Sequence, residues 1–140
     1  MIYLLDSNTC IAYLRGKPAR VVEAIGQVQP EDIALCAIVV AELYEGAYRS
    51  AQREHNLAKV AEFVARFIIL PFDTAAAEIA GQHGAELAAK GTPIGPHDLQ
   101  IAAMALANDL TLVTHNTREF IRIGMLRIED WERDDGALIP

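Results

Sequence analysis

Four short runs, residues 2–5, 33–36, 68–70 and 111–113, are almost wholly apolar and do not alternate with polar residues. Unalternated runs of three or four apolar residues read as short strands, the first of them fully buried. Between the runs lie longer stretches with a helical period. Strands of this kind alternating with amphipathic helices predict a parallel sheet with helices on both faces, an α/β architecture.

The punctuation places the helices. Residues 8–15 form the first, stopped by Gly16. Pro18 opens a second at a position that tolerates proline, with Val21, Val22, Ile25 and Val28 as its stripe and Pro30 beyond its end. Further helices are expected over 38–50, 56–67, 74–89, 97–109 and 117–123. Asp73 or Thr74 caps the fifth and Gly91 stops it. A fifth strand is expected at 126–128. A tail over 130–140, carrying Glu132, Asp134 and Asp135, is expected to be partly mobile.

At 140 residues the chain reads as a single domain over 1–140, and 52% hydrophobic residues supply its core. A net charge of −7 argues against a protein that coats nucleic acid, but not against a nuclease whose own site is acidic. Cys10 and Cys36 form no C-x-x-C, which excludes a disulfide scaffold and gives a zinc ribbon no support. No apolar run approaches the roughly 18 residues of a membrane helix, and the N-terminus meets Asp6 without a basic leader. A cytoplasmic protein with reduced thiols and no membrane partner is expected.

In an open α/β sheet, ligands bind beyond the carboxyl ends of the strands. Asp6 follows the first strand, where it is also a good helix cap. Glu42 borders the stripe Ile38, Val39, Leu43 and Gly46, where it either snorkels or needs a compensating cation. Asp98, after the stiff Gly95-Pro96, shares a helix face with Ile101, Ala102 and Ala105, and it also suits the helix dipole. After the fourth strand, Thr114-His-Asn116-Thr-Arg-Glu119 offers Asn116 and Glu119 as ligands or water-positioning groups, or as a cap and its first-turn acid. Together these place acids at the ends of three strands and on a helix beside them. Clustered carboxylates repel unless protons or hard cations intervene, and oxygen-only donors select Mg2+, with Mn2+ as substitute, over zinc. Two such ions about 4 Å apart can activate water and stabilise a leaving oxygen.

These residues resemble the PIN-domain nucleases, and within them the VapC toxins of bacterial toxin–antitoxin pairs. The similarity runs through Leu5-Asp6-Ser-Asn8, Ala41-Glu42-Leu43 with Gly46, Gly95-Pro-His-Asp98-Leu-Gln-Ile101-Ala-Ala103, Leu112-Val-Thr114-His-Asn116-Thr-Arg-Glu119-Phe120 and Leu126-Arg-Ile-Glu-Asp-Trp131. The resemblance implies a sheet of about five parallel strands, a Mg2+-dependent endoribonuclease, a homodimer and a VapB-type antitoxin. Asp6, Glu42 and Asp98 match the family's three invariant acids. Asn116 stands where the family often has Asp, so the fourth acidic position either falls to Glu119 or is absent. Ala37 and Ile38 replace a common Ser or Thr. The Thr-x-Asn-Thr-Arg-Glu-Phe form is shared with a subgroup similar to tRNA-cleaving enzymes.

The expected chemistry is hydrolysis of a phosphodiester in a structured RNA such as tRNA. Asp6 and Asp98 are the expected principal ligands, Glu42 a ligand and acceptor of the water's proton, and Glu119 a water-orienting group. Asn116, Thr114 and Ser7 support them. Arg118 and Arg122, with Arg15, Lys17 and Arg20, are candidates for phosphates. Tyr3, Tyr13, Tyr44 and Tyr48 are stacking candidates, and Val39, Tyr44 and Phe63 are candidates for dimer or partner contacts. The histidines lack zinc-ligand spacing. Alternatives are a catalytically silent PIN-fold binding module and a housekeeping RNA-processing PIN nuclease. A haloacid-dehalogenase-like phosphotransferase needs an acid where Asn8 stands, and a receiver domain needs an acidic pair that is not evident.

Overall fold

The computed structural model describes residues 1–133 and the backbone of residues 138–139. Among these, five strands are parallel: β1 (Tyr3–Leu5), β2 (Ile33–Cys36), β3 (Ile68–Leu70), β4 (Thr111–Val113) and β5 (Ile128–Glu129). A short β6 (Leu138–Ile139) pairs antiparallel with β5, which the sequence did not announce. The sheet order is β3-β2-β1-β4-β5-β6. The order reverses beside β1: the chain first builds toward β3 and later returns to the other side at β4. A crevice opens at such a switch point beyond the strand ends.

Leu4 and Leu5 are both fully buried, as are all four residues of β2, so both faces of the sheet centre are covered. Helices α1 (Ser7–Arg15), α2 (Ala19–Gln27), α3 (Ala37–Arg49), α4 (Arg53–Val64), α5 (Thr74–Ala89), α6 (Pro96–Ala107) and the single turn α7 (Thr117–Phe120) supply the cover. Gly16 ends α1 in the left-handed region at φ 77, a conformation that a β-carbon disfavours. Helices α5 and α6 pack closely because Gly84 has no side chain. A β-carbon there would stand 3.0 Å from Leu99 Cδ2.

Several expectations need correction. Val39 and Phe63 are core residues, at 0% and 2% exposure, and offer nothing to a dimer. The fifth strand begins at Ile128 rather than 126, because Met125 turns with positive φ and Arg127 turns outward to Asp109. Helix α7 ends at Phe120, before the expected 123. Asp130 and Trp131 are buried, and the Trp131 ring stands edge-on to Tyr3 at 5.0 Å. Asp134 and Asp135 lie outside the described residues. Cys10 and Cys36 are free and buried, and burial pushes the Cys36 thiol up to about 11.

Candidate active site

Asp6 leaves the end of β1 and caps α1. Its Oδ1 accepts the Ser7 backbone N–H at 2.8 Å, and its Oδ2 accepts the Thr114 hydroxyl at 2.8 Å. The cap and the site therefore coincide in one carboxylate. Burial raises its pKa, against these two bonds that lower it. Thr114 is wholly buried at the end of the neighbouring β4. Its Oγ1 also accepts the Asn116 backbone N–H at 3.0 Å, so one hydroxyl couples the ends of two strands.

Asn116 stands at the N-cap of α7 but makes no cap bond with its side chain. Its amide nitrogen turns the other way, donating to Glu119 Oε2 at 3.1 Å and more weakly to Asp98 Oδ2 at 3.4 Å. An Asp at this position would bring a further charge into the group. The Asn instead supplies a donor between two acids, which holds the carboxylates together without adding to their repulsion. Asp98 sits in the first turn of α6. Burial, a hydrogen bond shared with Glu119 and the charges of Asp6, Glu119 and Glu42 push it up to about 7. Glu119 is shifted down by that same shared bond and by Asn116, with Arg122 and the Gly95 N–H contributing. The two shifts run in opposite directions, and the hydrogen bond between the two carboxyl groups contributes to both.

Glu42 is the least satisfied of the group. It projects from α3, half-buried, and its Oε1 is buried with no hydrogen-bond partner among the described residues. Burial raises its pKa, and so does Asp6, while His97 opposes the shift. A buried carboxylate oxygen without a donor carries the full desolvation penalty. Four carboxylates thus converge electrostatically beyond β1 and β4, and their donors are all oxygen. An orphaned carboxylate oxygen beside a proton-sharing pair fits a hard cation better than any protein group present.

Ser7 contributes its backbone N–H to the site rather than its hydroxyl. Arg118 is exposed on α7. Arg122 reaches the Pro93 carbonyl at 3.2 Å and holds the loop before α6. Three supports escaped the sequence reading. Asn8 Oδ1 accepts the His115 N–H at 3.2 Å, and the buried Thr9 donates to the Val113 carbonyl at 3.2 Å; together they stitch α1 to the end of β4. His115 Nδ1 lies 3.0 Å from the buried Asp130 Oδ2 and 3.7 Å from Glu132 Oε2. That group draws its ligand-type atoms within 4.8 Å of one another. The polar residues after Asp6 carried a signal, but it read only as a cap. Nothing in the sequence paired His115 with Asp130.

Comparison with known proteins agrees with this geometry. The PIN domain family model matches residues 3–126. The chain is 44% identical over 129 residues to a tRNA(fMet)-specific endonuclease VapC from Shigella flexneri, covering 92% of this chain and 97% of that protein. It is 37% identical over 134 residues to Ribonuclease VapC2 from Rickettsia felis, covering 95% of this chain and 100% of that protein. The fold superposes with a TM-score of 0.88 on a chain of the DNA-bound VapBC crystal structure from Salmonella typhimurium, at 44% identity, over 94% of this chain and 98% of that one. With the acids at the strand ends and the matched family model spanning β1 to the close of α7, this chain belongs to the PIN-domain family, among the VapC ribonucleases.

Proposed function

We propose that this chain is the toxin of a VapBC-type toxin–antitoxin pair, an endoribonuclease that hydrolyses phosphodiester bonds of a structured RNA. The observation that carries the reading is the unpartnered buried oxygen of Glu42 beside the proton-sharing pair Asp98 and Glu119. Relatives named as tRNA(fMet)-specific endonucleases make an initiator-type tRNA the first substrate to test. Solved relatives described as VapBC complexes make a VapB-like antitoxin the expected partner. A homodimer is part of the same proposal. Among the described residues, no helix is long and apolar enough to cross a membrane. A cytoplasmic place of action follows from the RNA substrate.

PIN nucleases depend generally on a metal ion, and Mg2+ is the cation proposed here, held by Asp6, Asp98 and Glu42. When bound it supplies Lewis acidity, lowering the pKa of water and offsetting phosphate charge. The residues of the chain do the positioning. Thr114 and the Ser7 N–H fix both oxygens of Asp6. Asn116 orients Asp98 and Glu119. Glu119 orients the attacking water, and Glu42 accepts its proton. Arg118, exposed next to Glu119 in sequence, is the cation proposed to meet a phosphate.

The test is cleavage of initiator tRNA and of total cellular RNA by the wild type and by Asp98→Ala, with Mg2+ or with EDTA. Discrete cuts that need both the cation and Asp98 support the proposal. Absence of cation-dependent cuts from folded protein free of antitoxin rejects it in favour of a silent binding module.

A further inference from the structure

Three cavities join into one trough that leads away from the acids. The first, of about 400 Å3, lies against Ser7, Glu42 and His97. The second, about 310 Å3, shares Ile11, Glu42 and Gly46 with the first and reaches Arg15 and Lys59. The third, about 370 Å3, shares Leu14, Arg15 and Lys59 with the second and ends at Tyr13 and Arg66. Along this path the charge reverses. Glu42 and Glu45 stand at one end, where Arg49 pairs with Glu45 at 3.5 Å; Arg15, Lys59 and Arg66 gather at the other, with Glu62 among them in the third cavity. A chain of net charge −7 thus gathers three of its cations at the end of the trough away from the acids.

The floor and the far end each have a feature that suits a strand of nucleic acid. Gly46 lies inside α3, where glycine weakens a helix by about 1 kcal/mol relative to alanine. Apart from its chain neighbours and the backbone of its own helix turn, no described atom lies within 4 Å of where its β-carbon would be, so packing against the rest of the chain does not demand glycine. The missing side chain leaves the floor of the trough open. At the far end the Arg66 guanidinium lies 5.5 Å from the Tyr13 ring and 5.2 Å from the Phe67 ring, and it donates to the Tyr13 hydroxyl at 2.7 Å. Held this way it is a flat cation, a surface on which an unstacked base can lie. Lys59 is held by the Leu14 carbonyl at 2.8 Å.

We propose that this trough is the path of the RNA strand flanking the scissile phosphate, with Lys59 and Arg15 meeting backbone phosphates and Arg66 supporting a base. The inference rests on the ribonuclease reading and adds to it a substrate-positioning surface outside the acids. A flanking strand brings one negative charge per nucleotide, which complements the basic end, while the phosphate to be cut lies at the acids.

The test compares a single-stranded RNA of about twelve nucleotides, within the span that single-strand sites cover, with a dinucleotide too short to leave the acids. Lys59→Glu and Arg66→Glu are expected to raise KM for the longer RNA about tenfold, with kcat within about twofold and dinucleotide cleavage preserved. Lys59→Glu is expected to reduce the slope of log affinity against log salt by about 0.7, the share of one neutralised phosphate on a single strand. Gly46→Leu is expected to weaken binding of the longer RNA without lowering the melting temperature, since leucine favours helix. Binding of the longer RNA is also measured by fluorescence anisotropy in an Asp98→Asn background. Binding that the trough variants weaken, together with a wild type that cuts neither RNA, would sink the nuclease reading and keep the trough. Unchanged KM and unchanged anisotropy in folded variants would overturn the proposal. So would variants that lose only a co-purified protein partner, which would assign the trough to that partner.

Discussion

Asp6 and Glu42 are both acids at the switch point of the sheet, yet the fold treats them oppositely. Asp6 is 3% exposed, and both its oxygens have protein donors, the Ser7 N–H and the Thr114 hydroxyl. It caps a helix and ties β1 to β4, so folding itself gains from it. Glu42 has a buried oxygen with no donor and feels the charge of Asp6. Folding loses by keeping it. Asp98 stands with Glu42 in this respect, holding a proton up to about 7. Side chains that a fold must tolerate at its own expense are where function is to be sought.

The largest effect that would sharpen this contrast is on catalysis. Asp98→Ala should lower RNA cleavage by more than about 100-fold, since even groups that only orient ligands are worth about 10–100-fold. Its melting temperature should not fall. Loss of activity together with unfolding would break the contrast, because Asp98 would then be a structural residue. Thr114→Val keeps shape and removes the hydroxyl. Cation affinity should drop about 10–100-fold, as expected when a group that orients a ligand is removed, read by calorimetry with Mn2+. Asp6→Ala should behave differently from Asp98→Ala. It should lose activity and also destabilise the chain by about 1–2 kcal/mol, the range for a missing helix cap, measured by urea unfolding.

Protons give a smaller and more gradual effect. In the cation-free chain Asp98 titrates at about 7 against an ordinary 3.8, so the folded state binds more protons than the unfolded state between these values. The stabilising contribution is present below about 4 and is lost as pH rises through 7. Glu119 shifts the other way and offsets part of it. Cation-free protein should therefore melt at a lower temperature as pH rises through this window. Cation affinity should move in the opposite sense, weakening below pH 7 as the proton competes. A Mn2+ affinity flat across that range would contradict the shared proton.

Much of this was legible in the sequence. The bounds of β2, β3, β4 and α5 coincide with the runs 33–36, 68–70, 111–113 and 74–89, helped where a residue of strong preference stands beside the end, as Pro71 does after β3 and Asp73 before α5. Strand β5 was displaced by two residues, since Leu126 and Ile128 look alike in sequence and only the turn at Met125 distinguishes them. In the site, the acids could be read from their positions after strands. The orientation of Asn116 could not be. Its position predicted a cap, and tertiary neighbours Asp98 and Glu119 drew the amide away. The Thr114 bridge and the His115–Asp130 pair join residues 108 and 15 positions apart, and no local pattern encodes such pairs.

The contrast between Asp6 and Glu42 is tested most directly by Glu42→Gln, which keeps the shape and removes the charge. Melting temperatures are measured without divalent cation and with saturating Mn2+. If Glu42 is held at the fold's expense for a cation, the variant melts higher than the wild type without cation and gains less from Mn2+. A variant that melts lower without cation, and gains as much as the wild type from Mn2+, would show that the fold needs the Glu42 charge and that the cation does not.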